Sequence, residues 1–143
     1  MRSITRNKRR EAERTSHRKG LVMKFQRLYA DSAGDSRWQD VRVDMTERVF
    51  APPVQAIEIS EPETAKQMMF LRLRAGWNEP IHPTPVPQKP ISVAGRVHVT
   101  ASDGEARDMG LSDVWHMEDC HGKGHQAQVT STEDFEAVII QLE

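Results

Sequence analysis

Short runs of alternating apolar and polar residues follow one another along most of the chain. Phe25 and Leu28 stand among polar neighbours in MKFQRLYA, Val41 and Val43 alternate in WQDVRVDM, Ile57 and Ile59 in VQAIEIS, and Met69, Leu71 and Leu73 in KQMMFLRLRAG. A period of two puts alternate side chains on one face of a strand, so each run predicts a half-buried strand. Turn signals separate them: DSAGDS around Gly34, the Pro52-Pro53 break, and Pro62. ISVAGRVHVTASDGEARDMG predicts two strands joined at Asp103-Gly104, a dipeptide suited to a tight hairpin. DVWHMED, HQAQVTS and FEAVIIQLE bring the expected count to eight or nine strands. Short strands with a turn roughly every 8 to 12 residues predict an all-β sandwich or barrel. A 3.6-residue period is sustained nowhere except across residues 7–19, which are charged all round.

At 143 residues the chain is long enough for one domain with a real core, burying roughly two-thirds of its unfolded surface. No stretch approaches the roughly 18 apolar residues of a membrane helix, so no membrane partner is expected. The single cysteine, Cys120, excludes an internal disulfide and fits a reducing compartment, which makes the cytoplasm the expected location. The net charge of -1 hides an asymmetry: residues 1–22 hold eight Lys/Arg against Glu11 and Glu13, a surplus of +6 that leaves -7 for the remainder. A body this acidic is unsuited to neutralising phosphates, so any nucleic-acid contact falls to the basic tail. That tail is expected to be a disordered or weakly helical extension, or an addition upstream of Met23 as the first residue, and residues 23–143 a single domain.

Most of the chemistry suggested by the sequence lies in GWNEPIHPTPVPQ, residues 76–88, where His82 sits among prolines that cannot donate ladder hydrogen bonds. An extended edge or rigid lip is expected there, holding His82 and Gln88 at low entropic cost. Five residues separate Gly76 from His82, one separates His82 from Thr84, three separate Thr84 from Gln88 and six separate Gln88 from Gly95. This spacing resembles the first cupin motif, G-x5-H-x-H-x3-E-x6-G, with Thr84 and Gln88 in place of a histidine and the acid. EDCHGKGHQAQV resembles the second motif, P-x-G-x-x-H, with Gly122 and His125 in place and Cys120 where the proline would be. The resemblance spans about residues 65–142, with the two motifs at 76–95 and 112–125. It is to small single-domain bacterial cupins, most of them without an assigned activity.

The resemblance implies a cupin-type double-stranded β-helix (jelly-roll) barrel, a small-molecule ligand in its cavity and a homodimer formed through edge strands. It also implies a divalent metal, with His82, Gln88 and His125 as ligands. A hydroxyl at Thr84 is a poor ligand for iron, nickel or zinc, and an amide at Gln88 brings neither charge nor a general base. Three readings stay open: a loosely held ion, a metal-free pocket hydrogen-bonding an organic ligand, and a purely structural role. As an enzyme the protein would act on a small polar metabolite by isomerase-like, lyase-like or water-activating chemistry, with His125 and His82 as acid or base. As a binding module or sensor it would hold the same molecule without turnover. Thr84, His116 and Trp77 are further cavity candidates, His116 only if the Val114 face of its strand points inward. His98 faces solvent or the cavity, and His121 adjoins the glycine turn as a substitute ligand.

Overall fold

The structure, a computed structural model, describes residues 22–142; all of the basic segment 1–22 except Val22 lies outside the described residues. Eleven strands and no helix occur among them: β1 (Lys24–Ala30), β2 (Ser36–Arg42), β3 (Thr46–Arg48), β4 (Ile57–Ile59), β5 (Gln67–Leu73), β6 (Gln88–Ala94), β7 (Val97–Ala101), β8 (Ala106–Met109), β9 (Trp115–Met117), β10 (His125–Val129) and β11 (Phe135–Gln141). They fall in two units. The smaller holds residues 42–60 and the described residues before 25, and its β3–β4 hairpin sets Thr46 opposite Ile59 and Arg48 opposite Ile57. The larger holds residues 25–41 and 61–142.

The larger unit contains a six-stranded sheet ordered β2-β1-β9-β6-β11-β5 and a three-stranded sheet ordered β10-β7-β8. Most pairs are antiparallel, whereas β1 and β9 run parallel, with Gln26 beside Trp115. Alternation decides what each strand buries. His125, Ala127 and Val129 point inward from β10, Val97, Val99 and Ala101 from β7, and Phe135, Ala137 and Ile139 from β11, with polar or less buried neighbours between them. Leu28, Trp38, Met109 and Trp115 join them in one core shared by both sheets. Trp115 stacks on Phe135 with ring centroids 6.4 Å apart, adding aromatic contact to the area buried.

The Asp103-Gly104 hairpin forms as expected, joining β7 to β8. The long run ISVAGRVHVT is not one strand. It breaks at Gly95, so that β6 and β7 belong to different sheets. Gly95 has φ +72°, and a Cβ there would overlap the Asp134 carbonyl, so the chain turns this corner only with glycine. This break, together with the short β3, accounts for the excess over the expected strand number. Among the described residues no helix is long and apolar enough to cross a membrane.

Candidate metal centre

The proline-framed segment forms no regular strand. It lies against β10 through isolated bridges, Asn78 opposite Gln128 and His82 opposite His125. The His82 amide donates to the His125 carbonyl at 3.0 Å, and the His125 amide donates back to His82 at 3.0 Å. Gly124 makes this approach possible: its φ is +81°, and a Cβ would run into the His82 carbonyl. Two histidines 43 positions apart in the chain thereby bring their ring centroids to 5.3 Å.

Both rings are held by the same nitrogen. His82 Nδ1 lies 2.9 Å from the Pro80 carbonyl, and His125 Nδ1 lies 2.7 Å from a carboxylate oxygen of Asp119. A carbonyl or carboxylate oxygen accepts, so Nδ1–H is the donor in each case and, in the neutral ring, Nε2 keeps its lone pair. Both Nε2 atoms face Glu79, His82 at 3.7 Å from Oε2 and His125 at 4.0 Å from Oε1. Donor atoms of Glu79, His82 and His125 all lie within 4.8 Å of one another. Two neutral imidazoles and one carboxylate make a chemically suitable set for a divalent transition metal. The spacing is slightly wider than the roughly 3 to 3.5 Å between neighbouring donors on an ion with bonds of about 2.0 to 2.2 Å.

Asp119 is fully buried and makes three side-chain hydrogen bonds. Its carboxylate accepts from Thr84 Oγ1 at 2.7 Å, Ser36 Oγ at 2.9 Å and His125 Nδ1 at 2.7 Å, while its backbone carbonyl accepts the Thr84 amide at 3.0 Å. Three separate parts of the chain, the start of β2, the proline segment and the start of β10, are thus tied to one carboxylate. A carboxylate behind a ligating histidine fixes ring orientation and raises the basicity of the opposite nitrogen.

Behind the cluster is a cavity of about 190 Å³. Its polar lining is Glu79, His82, Thr84, Gln88 and His125; Leu71, Leu73, Val97, Val99, Trp115, Met117, Phe135 and Ile139 make up much of the rest. His82 is half-exposed and His125 buried beneath it, so the cluster sits where the cavity meets solvent.

His82 and His125 meet, and Gln88 lines the same cavity with its amide nitrogen 3.7 Å from the Met117 sulfur. The acid missing at position 88 is supplied from position 79. Thr84 lines the cavity, but its hydroxyl is committed to Asp119. Trp77 is 43% exposed and does not line it. Nor does His116, because Trp115 and Met117 take the inward face of β9 and leave His116 on the other face, 3.1 Å from Glu118 and beside the Phe25 ring. Burial there pushes the His116 pKa below its ordinary 6.5, with Glu118 opposing the shift. His98 pairs with Asp108 at the surface, 2.8 Å away, and His121 is exposed.

Glu79 and Asp119 escaped the sequence reading. Glu79 precedes His82 by three residues within the same proline-framed stretch, and Asp119 opens the turn that ends at His125. The signal for each was an acid close in sequence to a motif histidine, on the side of it that the motif leaves unspecified.

Two sheets around one core, glycine corners, and a cavity mouth marked by histidines and a carboxylate define an all-β barrel with a cupin-like fold. Solved structures resemble it at low identity. A cupin 2 conserved barrel domain protein from Salinispora arenicola CNS-205 is 17% identical over 71% of this chain and 76% of that one, with a TM-score of 0.46. The cupin domain of Schizosaccharomyces pombe Cnp3 is 11% identical over 85% and 84%, with a TM-score of 0.44. The conserved SPY1581 protein of unknown function from Streptococcus pyogenes is 16% identical over 53% of this chain, with a TM-score of 0.42, and the chain spans 62% of that protein. No family model matches the chain, and no curated protein matches it in sequence.

Proposed function

We propose that the protein is a metal-dependent cupin-type enzyme in which Glu79, His82 and His125 hold one divalent transition metal at the mouth of the cavity. The observation that carries this reading is the shared orientation of the two rings: each Nδ1–H is held by an acceptor and each Nε2 is turned toward Glu79. Three protein ligands leave coordination positions open, and the bound ion would supply Lewis-acid polarisation or an activated water. The chain's own residues do the rest. Pro80 and Asp119 fix the imidazoles, the apolar wall excludes water from the inner chamber, and Gln88 offers an amide to a bound molecule. Binding without turnover is the second reading, supported by the mostly apolar lining around few polar groups.

Metal analysis of protein purified without added ions, followed by titration with Zn²⁺ or Co²⁺, tests the site. One ion per chain is expected, with affinity lost in Glu79→Gln and His82→Ala and kept in Gln88→Ala. A hundredfold excess of metal over its Kd stabilises the fold by about 2.7 kcal/mol. Absence of any bound ion, or metal loss on Gln88→Ala with Glu79→Gln unaffected, refutes this ligand set.

The same proposal includes a homodimer, located at the cytoplasm, that pairs through edge strand β5. Among the described residues β5 has only β11 beside it, and Met68 and Phe70 project from it, Phe70 80% exposed. Light scattering at tens of micromolar should give twice the chain mass; a monomer refutes the pairing.

A further inference from the structure

The cavity's chemistry also restricts what enters it. Among the described residues no lysine or arginine lines it, and Glu79 is the single carboxylate on its wall. An ion held by Glu79, His82 and His125 would take one anionic group at the mouth, but charge carried deeper, such as the second carboxylate of a dicarboxylate, meets a wall without a cation, and desolvating it without partners is costly. Sugars fail for a related reason. Each hydroxyl needs a partner, yet Thr84 is held by Asp119 and both Nδ1 atoms are held as well, which leaves the two Nε2 atoms, the Glu79 carboxylate and the Gln88 amide. The inner wall is hydrocarbon and aromatic, with Trp115 stacked on Phe135.

Volume sets the size. A dry apolar cavity of about 150 Å³ holds benzene, so 190 Å³ accommodates a ring of that size with one or two added heavy atoms. We infer that the ligand is a compact uncharged molecule with an apolar body of about six or seven carbons and one oxygen-bearing end, of the phenol or cyclic-ketone class. The body packs on Trp115, Phe135, Val97 and Val99, and the oxygen meets the Glu79–His82–His125 cluster. The inference rests on the metal-site reading for the oxygen end alone, since the apolar chamber is present whether or not an ion binds.

Ligand-observed NMR on the full chain, with and without Zn²⁺, distinguishes the two claims. In the metal-free chain, phenol and cyclohexanone are expected to bind at least about tenfold more tightly than glucose, succinate or inorganic phosphate, and benzene to displace phenol. Ala127→Leu and Val99→Phe, which fill the chamber, are expected to weaken phenol at least about tenfold while Zn²⁺ affinity changes less than about threefold. If either variant fails to fold, the benzene competition in the unmodified chain decides. In the metal-free chain, succinate or phosphate binding more tightly than phenol, or phenol indifferent to benzene, overturns the inference, whether or not Zn²⁺ binds when it is added. Phenol binding that benzene displaces, with no Zn²⁺ bound, sustains the inference and overturns the metal site instead.

Discussion

Replacing Asp119 separates its structural role from its hold on the metal site. In Asp119→Ala the hydroxyls of Ser36 and Thr84 and the Nδ1–H of His125 lose their common acceptor in a fully buried place. Each buried group left without a partner costs about 1 to 3 kcal/mol. Three of them approach the roughly 5 to 15 kcal/mol that holds a whole domain together, so this variant is expected to be largely unfolded. Asp119→Asn behaves differently because it keeps the shape. Its amide oxygen takes the position that accepts from His125 and Ser36, and its NH₂ faces Thr84 Oγ1, whose hydroxyl rotates to accept. The fold then survives at a cost of about 1 to 2 kcal/mol.

The carboxylate charge behind the imidazole is nevertheless gone. Removing such a partner typically weakens metal binding about 10- to 100-fold, or about 1.4 to 2.8 kcal/mol. The assay is thermal unfolding beside Zn²⁺ affinity measured by competition with a chromophoric chelator. Asp119→Asn should fold and lose affinity; Ser36→Ala, which removes one donor and leaves the carboxylate, should keep affinity within about threefold. Equal Zn²⁺ affinity in Asp119→Asn and the unmodified chain would show that the carboxylate does not support His125 as a ligand.

Two other predictions concern stability. The His116 pKa is lowered chiefly by burial, with Lys89 and Arg27 adding to the shift and Glu118 and Glu63 opposing it. Well above its ordinary 6.5 the ring is neutral both folded and unfolded and contributes no pH dependence. As pH falls through 6.5 the unfolded chain takes up the proton first, so stability declines until the folded-state value is passed and the loss levels off. Urea unfolding in the presence of a chelator should show a shallower decline below pH 6.5 for His116→Phe than for the unmodified chain; an identical pH profile contradicts this account. Gly124→Ala forces a side chain into the left-handed region and against the His82 carbonyl, so a loss of at least about 3 kcal/mol is expected in unfolding experiments. A loss below about 1 kcal/mol would mean that the His82 segment is not held where the structure places it.

Period-two patterning revealed most strands because each buries one face, and a one-residue slip would expose the whole set. It could not reveal the corner at Gly95. ISVAGRVHVT remains apolar on alternate positions through the turn, so the change of sheet is marked only by a glycine whose neighbour, Asp134, is distant in sequence. His116 shows the same limit from the other side. Alternation gave its phase relative to Trp115, but which phase faces inward was decided by packing of Trp115 against Phe135 from β11.

The Glu79–His82–His125 cluster was partly legible for a related reason. A motif read as letters at fixed intervals specifies backbone positions, and it brought forward His82 and His125, whose pairing is a backbone bridge. Ligation depends on where side-chain atoms end, and a glutamate before the histidine reaches the same point as one placed after it when the intervening chain is irregular. Prolines supply that irregularity between residues 80 and 87, and Glu79, just ahead of it, places its carboxylate beside the two histidines. Position 88 thus contributes an amide to the cavity wall while the carboxylate of the candidate cluster comes from position 79, and Thr84, a poor ligand, holds Asp119 behind His125.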